Sequence, residues 1–170
     1  MSAAPITPDW VRMMAGYNAW QNGWMAEAMA GLPEGEAKRD RGAFFGSILG
    51  TANHVLWGDR VWMSRLSDGA MPEIYTDGGT GMTANVGEWA SARRETDAAI
   101  RAWAEAMTDC TGEVAWWSGV LGREVTKPKP VLYTHFFNHQ THHRGQNHAM
   151  LTAAGAATEA TDLIFMPEDA

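Results

Sequence analysis

"HFFNHQTHHRGQNH", residues 135–148, holds five of the six histidines in this chain. Wound as a helix, with roughly 100° between successive residues, it places His139 about 40° from His135, His142 about 20° back, and His143 about 80° around. Gln146 returns to about 20°. Four histidines and a glutamine therefore share one stripe, while Phe136, Phe137 and Asn138 occupy other sectors. The pattern extends into a long helix over about residues 131–154, opened by Pro130 in its first turn and stopped by Gly155.

Working outward, three more helices are expected. "TPDWVRMMAGYNAWQNGWMAEAMAGLPEGE" reads as the first, capped by Thr7 or Asp9 and ended by Gly31 and Pro33. Its inner face is expected at Trp10, Met13, Met14, Tyr17, Trp20, Trp24 and Met29. A second helix runs from near residue 44 to about residue 66, with Ile48, Val55, Trp62 and Leu66 at helical intervals. Gly46, Gly50 and Gly58 each weaken it by about 1 kcal/mol relative to alanine, a cost tolerated where another segment must approach closely. A glycine-rich loop over residues 71–82 leads to a third helix, capped by Thr83 or Asn85, with Trp89, Ala92, Thr96, Ala99, Ile100 and Trp103 inward. Before the last helix, residues 113–117 and 123–126 read as a short β-hairpin turning near Gly119 and Gly122. Leu163, Ile164 and Phe165 in the tail are expected to pack on the helices. Four long amphipathic helices without βαβ alternation predict an all-α fold, a four-helix bundle, as one domain over residues 1–170.

Composition narrows the function classes. The net charge of -7 and the absence of a basic stripe argue against nucleic acid. No run of eighteen apolar residues and no basic leader occur, so no membrane span or export is expected. The single cysteine, Cys110, excludes an intramolecular disulfide and fits a cytoplasmic setting. Nine tryptophans and eleven methionines predict a core of large, irregular side chains.

The histidines carry the chemistry. Imidazoles four residues apart on a helix, such as His139 and His143, meet over one turn and can share a metal. The same spacing also arises by chance in surface helices. A third ligand has to come from elsewhere, and His54, on the second helix, is the one remaining histidine. In bundles, facing helices build metal sites from inward side chains. Three such ligands leave positions open for water and substrate.

The segments "YNAWQN", "RDRGAFFGSILGTANH", "NHVLWGDRVW" and "HFFNHQTHHRGQ" together resemble the DinB family over nearly the whole chain. The resemblance implies a four-helix bundle with a non-sequential helix arrangement, often dimeric. It also implies one divalent metal per chain, held here by His54, His139 and His143. Relatives include metal-dependent thiol transferases and a thiol-dependent isomerase, and many members have no established reaction.

Around that triad, His135 stands at the rim or as a replacement ligand, and His142 stands beside the pocket or against a partner helix. His148 reads as a solvent or interface residue. Gln146 is positioned to donate to a bound water or substrate, so Gln146, His142 and His135 are the catalytic candidates. Tyr17 and Asn18 are candidates for supporting contacts, and Asp59 and Arg144 for either an ion pair or catalysis. Three neutral ligands suit Zn²⁺, Ni²⁺, Fe²⁺ or Co²⁺ over Mg²⁺ or Ca²⁺. Gln140, Thr141 and His142 lie between the paired histidines, where a H-E-x-x-H hydrolase carries its glutamate. This favours S-transfer by a metal-bound thiolate of a low-molecular-weight thiol, on a small-molecule substrate, in a homodimer. The alternatives are a hydrolase using metal-bound water and a non-catalytic, stress-associated metal-binding dimer.

Overall fold

The computed structural model describes residues 6–67, 70–73 and 77–168. Helix α1 spans Pro8–Ala30. The Thr7 side chain caps it by accepting a hydrogen bond from the Trp10 amide at 3.2 Å, with proline in the first turn. Helix α2, Ile48–Leu66, begins later than the residue-44 start expected from periodicity. Gly46 has φ +72°, the left-handed region that glycine enters at no steric cost, so the chain turns there before Ser47 caps Gly50 at 3.0 Å. Helix α3, Val86–Glu105, is capped by Asn85, which accepts from the Glu88 amide at 2.9 Å. The Glu88 carboxylate in turn accepts from the Ala84 amide at 2.8 Å.

Strands β1 (Glu113–Ser118) and β2 (Arg123–Pro128) form the antiparallel hairpin, with Trp116 opposite Val125. Helix α4, Lys129–Ala153, follows with proline in its first turn. It stops where Gly155 takes φ +77° and the Ala156 amide donates back to Leu151 O at 3.0 Å.

The main helix contacts are α1 with α3, α3 with α2, α2 with α4, and α4 with α1. The helices therefore circle the bundle in the order α1, α3, α2, α4, and α2 has α4 as a direct neighbour. Four helices with a hairpin before the last make the chain an all-α bundle of non-sequential order.

Two apolar cores form, one at each end. Trp24, Met25, Met29, Ile48, Leu56, Trp89 and Leu151 fill one. Val11, Ala15, Met63, Ile100, Tyr133, Phe136 and Phe137 fill the other. Between them, every helix contributes buried polar side chains: Asn18 and Asn22, Asp59, Arg93 and Asp97, Gln140 and Arg144.

Several expected inner positions differ. Met13 and Ala99 are exposed, and Arg93 and Asp97 are buried in their stead. Of the nine tryptophans only Trp24 and Trp89 are fully buried, Trp117 is exposed and the rest are half-buried, since so large a ring seldom escapes solvent entirely. Leu163, Ile164 and Phe165 do not pack down as expected. They form a single 3₁₀ turn with Ile164 at 84% and Phe165 at 61% exposure. No helix among the described residues is long and apolar enough to cross a membrane.

Candidate metal centre

The middle of α2 faces the middle of α4, at the level of the polar layer. His54 from α2 and His139 and His143 from α4 converge there. Their ring centroids lie 5.1, 4.8 and 4.5 Å apart for the pairs His54–His139, His54–His143 and His139–His143. One nitrogen from each comes within 4.8 Å of the others. Among the described residues this is the one such group of histidine, cysteine or carboxylate ligands.

Glycine lets the two helices close on the site. A Cβ at Gly58 would stand 3.0 Å from Cε1 of His139, tighter than a relaxed contact. Gly50 acts differently from Gly58: a Cβ there would fall 2.5 Å from the Phe45 carbonyl oxygen, so it admits the loop that precedes α2. That loop brings Phe45 flat onto His54, at 3.8 Å between centroids and 24° between planes.

Hydrogen bonds fix which nitrogen each ring presents. Nδ1 of His54 lies 2.7 Å from the Gly78 carbonyl oxygen, which can only accept, so the proton sits on Nδ1. Nδ1 of His143 donates in the same way to Oε1 of Gln146 at 2.8 Å. Both rings thus turn an Nε2 lone pair inward. Nε2 of His139 is 3.1 Å from Nε2 of His54. Nδ1 of His139 is buried with no partner among the described residues. With the His139 proton on Nδ1, the two Nε2 lone pairs repel unless something positive lies between them; with it on Nε2, that proton bridges to His54 and the buried Nδ1 is left without a donor. Protonating His139 is a poor solution: burial first, then the neighbouring imidazoles of His143, His54 and His135, push its pKa down to about 3. Burial lowers the pKa of His54 and His143 as well. Neutral imidazoles with converging lone pairs are a donor set that fits a divalent transition metal.

The other sequence candidates divide. His135 stays out of the three-histidine cluster, its ring 5.8 Å from His139 and 4.9 Å from Trp62, and sits at the rim. His142 is exposed, with its Nε2 3.3 Å from Nε2 of Gln146. Gln146 accepts from His143 through Oε1 at 2.8 Å and so orients that ring, while its Nε2 has one contact, to His142. His148 packs edge-on against Trp24 at 5.6 Å and reaches the Glu159 carbonyl oxygen at 3.2 Å. Tyr17 donates to Thr161 O at 2.6 Å, and Asn18 to Asp97 at 3.2 Å, so neither supports the histidines directly. Asp59 pairs with Arg93, at 2.6 Å, and Arg144 donates to Asn18 while lying over the Tyr17 ring. Gln140, between the two α4 histidines, is buried and donates to Asp59 at 2.9 Å.

Phe45 and Gly78 were not singled out individually from sequence. The glycines in α2 gave a general signal of close approach, whereas the contact made by Gly78 needs the folded loop. Cavities of 310 to 460 Å³ are found elsewhere along the chain, and none of these is lined by the three histidines. The three histidines are flanked by the rings of Phe45, Trp57, His135 and His142.

The model of the DinB family matches residues 7–170. The chain belongs to the DinB family. The helix order and the position of the histidine cluster in this DinB chain accord with the resemblance seen in four short motifs. No curated protein matches it in sequence.

Proposed function

We propose that the chain holds one divalent transition metal through Nε2 of His54, His139 and His143, and that it is a metal-dependent enzyme transferring a small thiol to or from a small molecule. The observation that supports it most is the tautomer pattern: Gly78 and Gln146 each take an Nδ1 proton and leave a lone pair facing the common point. With three neutral ligands, zinc or nickel is favoured, ahead of iron or cobalt. Such an ion, when bound, lowers the pKa of a thiol or a water at its open position.

The chain's own residues do the rest. Gly78 and Gln146 lock two rings in the ligating orientation, as partners of metal-bound imidazoles do. Phe45 shields one face of His54 from water. Thr141, between the two α4 histidines, is spent on the Phe137 carbonyl oxygen at 3.0 Å, and Gln140 on Asp59. Neither an amide nor a hydroxyl is basic enough to take a proton from water, so the carboxylate of an H-E-x-x-H hydrolase has no counterpart between these histidines, which favours the thiol reading over hydrolysis. A homodimer, as the family resemblance implies, and a reducing cytoplasmic setting, suited to the lone buried Cys110, belong to the same proposal.

Elemental analysis of tag-free wild type and His54→Ala tests the ligand set. About one metal per chain in wild type, lost in the variant, is the expected result. Full occupancy without His54 overturns it. Thiol consumption by the loaded enzyme with electrophilic substrates then tests the reaction, and ester cleavage without thiol would favour the hydrolase.

A further inference from the structure

Among the described residues, Arg65, in the last turn of α2, is a cation with no carboxylate beside it. Arg12, Arg39, Arg41, Arg60 and Arg93 each have a carboxylate within 4.0 Å. No described carboxylate comes that near Arg65, although acids outnumber bases by 20 to 13 in the chain. Its guanidinium carbon lies instead 4.7 Å from the centroid of Trp62 and 5.5 Å from that of Trp116 on β1. Its Nε is shut away from solvent and has no hydrogen-bond acceptor among the described residues. Cation–π contact contributes about 1–2 kcal/mol and does not replace the lost water at N–H. Burial accordingly works against the charged form and lowers the Arg65 pKa. A planar anion would satisfy the fork of donors, and a carboxylate matches it with two parallel bonds.

The position of this cation gives it a use. Trp62 and Trp116 meet edge to face at 5.6 Å, Trp62 meets His135 at 4.9 Å, and His135 is 5.8 Å from the candidate ligand His139. Arg65 and the two indoles, half-exposed, and His135, exposed, thus form one continuous strip that ends at the three histidines. We propose that this strip seats the small molecule on which the centre acts: Arg65 binds its carboxylate, Trp62, Trp116 and His135 carry its apolar body, and its reactive end reaches the histidines. The seat rests on the reading of the histidines as a catalytic metal centre, whereas the Arg65 anion site stands on its own contacts.

The test is calorimetric titration of the zinc-treated full chain with ω-mercaptoalkanoates of increasing length, the matching ω-mercaptoalkanols, and the thiol-free alkanoates. Wild type should prefer the carboxylate over the alcohol by about tenfold, the size expected of a charge-assisted pair. Arg65→Gln should bind the two alike, with Arg65→Lys between, since it keeps the charge and loses the planar fork. His54→Ala should keep the preference for carboxylate and lose the advantage of thiol over thiol-free ligand. A wild type indifferent to the carboxylate, or an Arg65→Gln protein that keeps the full preference, overturns the anion site. A carboxylate preference in wild type with no thiol advantage leaves the anion site standing and removes the thiol reading of the metal centre.

Discussion

At the scale of single residues, the centre depends on an atom that is missing. Gly58 presents no Cβ to the His139 ring, and the nearest ring atom would be 3.0 Å away if it did. Gly58→Ala pits two effects against each other. In a helix interior alanine gains about 1 kcal/mol over glycine through backbone entropy alone. The added methyl, however, presses on Cε1 of His139, so the ring must give way from its inward position. The expected outcome is a metal-free protein of nearly unchanged melting temperature whose metal affinity falls about tenfold or more, as displaced support of a ligand does. Competition with a chromogenic chelator reads the affinity, and an unchanged value would show that the ring tolerates the shift. The histidines themselves were legible in the sequence, because five imidazoles on one helix form a stripe. Which nitrogen each one offers was not legible, since it depends on the Gly78 carbonyl, 24 residues away from His54, and on the Gln146 rotamer.

At the scale of elements, the loop between α2 and α3 is a supporting part of the centre. Asp77 accepts from the Gly79 and Gly81 amides at 3.0 and 3.2 Å and from the Thr80 hydroxyl at 2.7 Å, winding the chain so that the Gly78 carbonyl faces His54. Asn53, one residue before His54, fastens that loop to α2. Its Nδ2 donates to the carbonyls of Thr80 and Thr83 at 2.8 and 3.0 Å, and its Oδ1 accepts from the Thr83 hydroxyl at 2.7 Å. Asn53→Ala is therefore expected to cost about 1–3 kcal/mol in urea unfolding. It should also weaken metal binding, although Asn53 is no ligand. Loss of stability with metal affinity intact would separate the loop from the centre. The helices and hairpin were readable from periodicity, caps and turn glycines, with errors of a few residues. The start of α2 was misplaced because Phe44 and Phe45 continue the apolar pattern, while the Gly46–Ser47 turn and cap interrupts it. The tail was misread because three successive apolar residues look like core, and their placement depends on whether the bundle has a groove to receive them.

At the scale of the whole molecule, the bundle is two apolar cores joined through a buried polar layer. Arg93 lies at its centre, with Nη1 2.6 Å from Asp59 and Nη2 2.9 Å from Asp97. Burial works against the guanidinium's charge, and the carboxylates of Asp97 and Asp59 more than offset it, so the Arg93 pKa is raised. Asn22 and Gln140 then tie those carboxylates to α1 and α4, at 3.0 and 2.9 Å. Arg93→Met should lower unfolding free energy by about 3–5 kcal/mol, because two carboxylates are left buried without their cation. Replacing Asp59 and Asp97 by asparagine together with Arg93→Met should recover part of that loss. A triple variant no better than Arg93→Met would mean that packing, and not charge, sets the cost. Arg93 and Asp97 escaped the sequence reading because inward positions on α3 were assigned by apolarity, which cannot register a charge that finds its partner on another helix.

The circular order of the helices has a consequence for how the protein is made. His54 and His139 touch across 85 residues of chain, and the seam that joins them closes only when α4 lies beside α2. A ribosome-bound chain that has emerged through α3 already contains most of its helices and His54, yet cannot assemble the histidine cluster. On the proposed ligand set, metal loading would wait until His143 has left the ribosome. An ion bound across that seam would join the early half of the chain to its last helix, so occupancy would mark a finished molecule.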